Sequence, residues 1–396
     1  MGMFSRRQQQ PATAGPGANV ATSHETKHHK GPRALSMNKR PSFGQWLKVT
    51  WLDIVTMAAM GAVGLGVYEA HPAPSRSFPV YFQDGEIVYP QFAYPLRNEI
   101  VPIWEAALLA SLVPIAAFFI VQIRVRSFWD MNNAVIGLLY SLITAAVFQV
   151  FLKWLIGGLR PHFLTVCKPN IPVTTAQETG NGLNYIMYDR TICTGDEDEI
   201  DDSLESFPSG HSTAAFAGFV FLSLYLNAKL KVWSNYHPAM WKLIVTWAPI
   251  LGATLIAGAL TIDEYHNWYD CLAGAIIGTV MAFSSYRMVY ASIWDWRTNH
   301  IPLNRSTPFP GTGAGAELED ATFTRQVGWG TDGYGASGYG GAGRYGHRHG
   351  HHNGLNEGVV QGGDIRNKEF SNGSGIGRKP VGTDVGHHNA DPANIV

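Results

Sequence analysis

Cysteine is scarce in this chain, with Cys167, Cys193 and Cys271 the three present in 396 residues. None stands in a CxxC or Cys/His spacing of the kind zinc requires, so no structural metal is expected and no cofactor is implied. An excess of either charge is also missing, since 29 Lys and Arg face 30 Asp and Glu. That balance removes the long-range field that draws proteins to nucleic acid, and no nucleic-acid partner is expected. The first residues show no short apolar core followed by a small-residue cleavage site, which argues against a cleaved signal peptide.

What the chain has is apolar length. Six stretches, near 50–68, 103–123, 132–158, 211–230, 241–262 and 269–290, each run for about the 20 residues a helix needs to cross a bilayer. The expected fold is all-α, an integral membrane bundle of six transmembrane helices over 49–291. The flanks, 1–48 and 292–396, are rich in Gly, His, Ser and Pro and have little to bury, so both are expected to be disordered tails. The run His347-Arg348-His349-Gly350-His351-His352 could hold a transition metal or be a solvated tract, and its low-complexity setting favours the solvated reading.

Basic connections tend to stay cytosolic. Lys27, Lys30, Arg33, Lys39, Arg40 and Lys48 precede the first stretch, Arg124 and Arg126 follow the second, Lys229, Lys231 and Lys242 surround the fourth connection, and Arg287 and Arg297 close the last. The intervening connections are acidic, most clearly at Asp196, Glu197, Asp198, Glu199, Asp201, Asp202 and Glu205. Both tails are therefore expected in the cytosol and the acidic loops in the lumen or outside. The sequons at Asn304 and Asn372 should then carry no sugar. Cys167 and Cys193 share the third connection, on the oxidising side, where a disulfide and two free thiols are both open readings. Cys271 reads as helix filler.

Polar groups at the edges of membrane spans are costly and usually mark a site. The third stretch closes in Lys153-Trp154-Leu155-Ile156-Gly157-Gly158-Leu159-Arg160-Pro161. A helix running through it would point Lys153 and Arg160 the same way, about two turns apart, with Pro161 stopping the helix and turning the guanidinium fork toward an anion. Phe207-Pro208-Ser209-Gly210-His211 precedes the fourth stretch and reads as a helix N-terminus. Free amides and the helix dipole attract an anion there, Ser209 adds a donor and Gly210 lets a phosphate oxygen reach the backbone. Between the fifth and sixth stretches, His266 and Asp270 are four apart, which on a helix gives them one face. A carboxylate on one imidazole nitrogen would fix the tautomer and free the other nitrogen for attack. In the topology above all three elements emerge on one side and read as a phosphoryl-transfer site.

Lys153-x6-Arg160-Pro161, Pro208-Ser209-Gly210-His211 and His266-x3-Asp270 resemble, in order and spacing, the three signature motifs of the type 2 phosphatidic acid phosphatase (PAP2) superfamily. Arg160-Pro161-His162-Phe163-Leu164 and Leu224-Tyr225-Leu226-Asn227-Ala228-Lys229 are similar to its eukaryotic lipid phosphate phosphatase branch, and the likeness covers roughly 50–290. The resemblance implies a metal-independent phosphatase acting on a membrane lipid phosphate such as phosphatidate, lysophosphatidate or diacylglycerol pyrophosphate. It implies His266 as nucleophile, Asp270 as its orienter, His211 as the acid and base, and Lys153, Arg160, Ser209 and Gly210 around the phosphate. A vanadate-dependent haloperoxidase shares the anion motifs, but six spans fit that class poorly. The third family motif opens with Ser-Arg, where this chain has Ala259-Leu260, and no Lys or Arg lies between Lys242 and Arg287. Loss of one preorganised donor costs about 10²–10³ in rate, so a relative that binds phospholipid without turnover is the alternative. Arg190, Lys168 and His162 are the candidates to replace the missing charge. The lipid, the organelle and the oligomeric state are not legible.

Overall fold

The computed structural model describes residues 40–70, 76–82, 85–171, 180–235, 237–305 and 309. All of these belong to one compact unit. The histidine run, the Asn372 sequon and the basic residues Lys27, Lys30, Arg33 and Lys39 lie outside the described residues.

Among the described residues six helices are long and apolar enough to cross a membrane: α1 (Phe43–Tyr68), α2 (Ile103–Val125), α3 (Phe128–Ile156), α6 (Gly210–Leu230), α7 (Met240–Ile262) and α8 (Trp268–Val289). Two short helices, α4 (Phe163–Cys167) and α5 (Glu197–Ser203), and a two-stranded antiparallel pair, β1 (Phe78–Pro79) with β2 (Met187–Tyr188), lie in the connections. Local chemistry sets the starts. Ser42 and Gln45 form a capping box on α1, Ser127 caps α3, Ser209 caps α6, and Asn267 with Asp270 forms a box on α8. The bundle extends beyond 49–291 at both ends, because α1 begins at Phe43 and residues after 291 pack back onto it.

Helix α6 is the hub, buried along most of its length against α2, α3, α7 and α8. Phe221 and Tyr225 meet Phe118 of α2 and Tyr286 of α8 in its core. Helix α8 approaches it without side chains in the way. A Cβ on Gly274 would stand 2.6 Å from the Ser209 carbonyl oxygen, and one on Gly278 would stand 2.5 Å from that of Thr213. Gly252 and Gly258 of α7 make no such close approach. Gly258 has nothing within 4 Å of its would-be Cβ, and Gly252 only a Phe219 ring carbon at 3.9 Å. Helices α1, α2 and α7 instead turn apolar side chains such as Val55, Leu112, Leu251 and Leu255 outward. That surface suits acyl chains, and the protein is a multi-pass membrane protein.

One end of the bundle carries a second small core. Phe78, Val80, Phe163, Leu164, Val166, Ile171, Tyr188, Ile200 and Leu204 pack around the Cys167–Cys193 disulfide. The disulfide reading of the two cysteines is thus the one realised. At the other end, the chain after α8 folds back on the bundle. Asp130 of α3 accepts from Lys229 (2.5 Å), Gln122 (2.8 Å), Tyr225 (3.0 Å) and Tyr290 (3.1 Å). Lys231 bonds the Trp296 carbonyl, Asn299 Oδ1 and His300 Nδ1 at 2.6–2.8 Å. Arg305 pairs with Asp53 of α1, which accounts for an acid inside the first span. Lys229, Lys231 and Lys242 are accordingly buried, not free loop charges.

Candidate active site

The three sequence elements meet at the disulfide-bearing end. Lys153 lies in the last turn of α3, but the helix stops at Ile156, before Arg160. Gly157 and Gly158 take φ of +56° and +124°, a turn open to glycine, so the break precedes Pro161 and the two-turn helical spacing does not apply. Arg160 reaches the site instead because its N–H bonds the Ser203 carbonyl at 2.9 Å and its guanidinium lies over the Tyr265 ring. Lys153 Nζ faces Glu205 at 3.5 Å, and Arg160 Nη2 bonds Asp202 at 2.6 Å. Both cations thus have carboxylate partners from the acidic segment, which sequence reading placed merely in a loop.

Ser209 caps α6 as expected, its hydroxyl accepting from the Ser212 N–H. Its own N–H bonds the Asp270 carbonyl at 3.1 Å, which joins the second motif to the third. Gly210 follows, with 3.6 Å of clearance from Gln149 and Ile103 to a would-be Cβ. The fold itself does not demand glycine there, whereas close approach of an anion to the backbone would. His211 is buried, bonded to the Val101 backbone, and its Nε2 has no hydrogen-bond partner. Glu99 Oε1 stands 3.8 Å from that nitrogen, and burial pushes the Glu99 carboxyl up against the pull of Arg160. No motif pointed to Glu99.

His266 is not helical. It sits before the Asn267 cap of α8 while Asp270 occupies the third turn position, so the cap, not an i,i+4 face, brings the pair together at 3.7 Å (Nδ1 to Oδ2). Its N–H bonds the Leu260 carbonyl at 3.1 Å. Burial holds the imidazole down at about 4, the nearby Asp270 carboxylate opposing and Arg160 and Lys153 adding to the depression. The ring is therefore neutral at ordinary pH, as a nucleophile must be. The His211 and His266 rings are 6.2 Å apart.

Leu260 is fully buried where the resembled family has arginine. The three candidate substitutes have other engagements or conformations. Arg190 is engaged with Asp201, Lys168 ends α4 in a left-handed turn, and His162 bonds the Glu264 carbonyl and is shifted toward neutrality by burial. Arg97, which sequence reading missed, caps the end of α7 through the Ile262 carbonyl (3.3 Å) and Glu264 (3.4 Å). Among the described residues no group of three His, Cys, Asp or Glu could hold a metal.

A six-span bundle that gathers two cations, a helix N-terminus and two histidines at one end has the parts that a membrane-embedded phosphatase would need. The family model described as PAP2 superfamily matches residues 134–294. Lipid phosphate phosphatase 1 of Arabidopsis thaliana is 31% identical over 268 residues, 67% of this chain and 72% of the relative. Diacylglycerol pyrophosphate phosphatase 1 of Saccharomyces cerevisiae is 29% identical over 244 residues, 61% and 80%. A PA-phosphatase related-family protein of Dictyostelium discoideum is 36% identical over 213 residues, 54% of this chain and 63% of the relative, so the match spans less than two thirds of that protein. No solved structure matches. The chain belongs to the PAP2 superfamily.

Proposed function

We propose that this protein removes phosphate from membrane lipids, with phosphatidate, lysophosphatidate and diacylglycerol pyrophosphate as the substrate class, through a phosphohistidine on His266. The observation that carries the reading is the convergence of Lys153, Arg160, Ser209, Gly210, His211, His266 and Asp270 on one end of the bundle. Lys153, Arg160, the Ser209 hydroxyl and the Gly210 amide hold the phosphate oxygens, the guanidinium in bidentate fashion. His266 Nε2 attacks phosphorus and the bond to the lipid oxygen breaks. His211 gives its proton to the departing alkoxide, then takes one from the water that cleaves the phosphorus–nitrogen bond. No metal enters the scheme. The site faces the lumen or the exterior and both tails face the cytosol, a reading supported by Arg124, Arg126, Arg287 and Arg297 at the opposite end.

The test is phosphate release from phosphatidate in detergent with chelator present, for the native chain, His266→Ala and Leu260→Arg. Native activity that vanishes in His266→Ala is the expected result. An inactive native chain that gains activity with Leu260→Arg would establish instead a phospholipid-binding relative whose turnover was lost with the arginine.

A further inference from the structure

We propose that Ser206 is a positioning residue that links the His266 nucleophile to Asp270, its hydroxyl helping the carboxylate to orient the imidazole. The inference rests on the phosphatase reading above and names a residue outside its three motifs.

The serine hydroxyl lies next to both groups. Asp270 Oδ2 already accepts the Ser206 hydroxyl at 2.6 Å, the Asn267 N–H at 3.0 Å and the Asn267 side-chain amide at 3.3 Å. Three donors reach this one carboxylate oxygen, and His266 Nδ1 stands 3.7 Å from it, a long contact. The Ser206 oxygen is nearer to that nitrogen, at 3.5 Å. A hydroxyl has one proton and two lone pairs. With its proton committed to Asp270, Ser206 offers a lone pair toward Nδ1–H. The resulting order is His266 Nδ1–H, Ser206 Oγ–H, Asp270 Oδ2.

Ser206 is 1% exposed, and its backbone is already anchored by an N–H bond to the Gly158 carbonyl at 3.1 Å. The hydroxyl is therefore not required to place the chain. Asn267, the other partner of Asp270, directs its amide to the Leu159 carbonyl at 3.2 Å and leaves the nucleophile to Ser206. When Nε2 bonds phosphorus, the ring becomes cationic and must keep its Nδ1 proton. The serine oxygen receives that proton's hydrogen bond while the Asp270 charge, relayed through a 2.6 Å contact, offsets the positive ring.

The full-length protein in detergent is compared with Ser206→Ala and Ser206→Thr, following phosphatidate turnover and the binding of orthovanadate, which forms a bond to a histidine nitrogen without needing turnover. Threonine keeps the hydroxyl, and the cavity of about 450 Å³ that Ser206 lines has room for its methyl. Ser206→Ala should lower kcat roughly 10- to 100-fold, as loss of a group that orients a histidine does elsewhere, with KM unchanged. Vanadate affinity should fall by a similar factor, and Ser206→Thr should restore both. An alanine variant with native kcat and vanadate affinity would overturn the bridge, as would an effect confined to KM or a threonine variant no better than alanine. If His266→Ala leaves vanadate binding intact, the phosphatase reading itself fails, and the bridge with it.

Discussion

At the level of single side chains, the site combines groups whose environments oppose their usual protonation. His266 is held near 4 in the folded protein against 6.5 in an open chain. The unfolded state therefore binds the proton first, and the native state loses stability as pH falls from 6.5 toward 4, by roughly 3 kcal/mol once both forms are protonated. Above 6.5 the group costs nothing. We expect thermal unfolding midpoints in detergent to fall through this window in the native protein and to fall less in His266→Gln; identical pH dependence in the two would contradict the placement of His266. Turnover should have an acid limb below neutrality for the same reason. Gly210 gives a second expectation. A methyl there meets only ordinary contacts at 3.6 Å, so Gly210→Ala should keep the native unfolding temperature while kcat/KM drops by about tenfold or more, about 1.4 kcal/mol or more of transition-state binding.

Among the elements, the close crossing of α6 and α8 is what joins the second motif to the third. Ser209 bonds the Asp270 backbone only because Gly274, one turn further along α8, lets the helices touch. Gly274→Ala should destabilise the bundle and lower turnover together, since its Cβ would overlap a backbone oxygen that cannot yield. Gly258→Ala, open on α7, should leave both within about 0.5 kcal/mol of native. Thermal unfolding and turnover of the pair check this. The crossing also shows where sequence reasoning ran short. Four glycines in α7 and α8 look alike in the sequence, and only the packing distinguishes the two that meet α6. The motif residues were legible because charge and helix-start signals stand out in apolar surroundings. Glu99, Arg97 and Ser206 were not, because each owes its position to contacts far along the chain.

For the whole molecule, the two ends divide the work. One end holds a disulfide-stapled cap beside the candidate site, and at the other the Lys231 hydrogen bonds, the Asn133 bond to the Leu303 carbonyl and the Arg305–Asp53 ion pair fasten residues 292–305 to α6, α3 and α1. If the cap faces the lumen or exterior, Asn304 stays unglycosylated in a eukaryotic membrane. A sequon engineered at the exposed Asp198 should be modified there. A mobility shift removed by endoglycosidase distinguishes the sides, and sugar on Asn304 with none at the engineered site would invert the topology.

The sequence alone determined six spans, the all-α class and the three clusters of polar residues, because runs of about 20 apolar residues cannot be anything but membrane helices or core, and charges beside them stay only where they are used. It also exposed the missing arginine at Leu260. Tertiary structure decided how those clusters are aimed. It ended α3 at glycines ahead of Arg160, brought His266 to Asp270 through a helix cap, paired Arg160 and Lys153 with Asp202 and Glu205, and set Ser206 beside both His266 and Asp270. Such choices depend on distances between segments far apart in the chain, which no local pattern of residue types records.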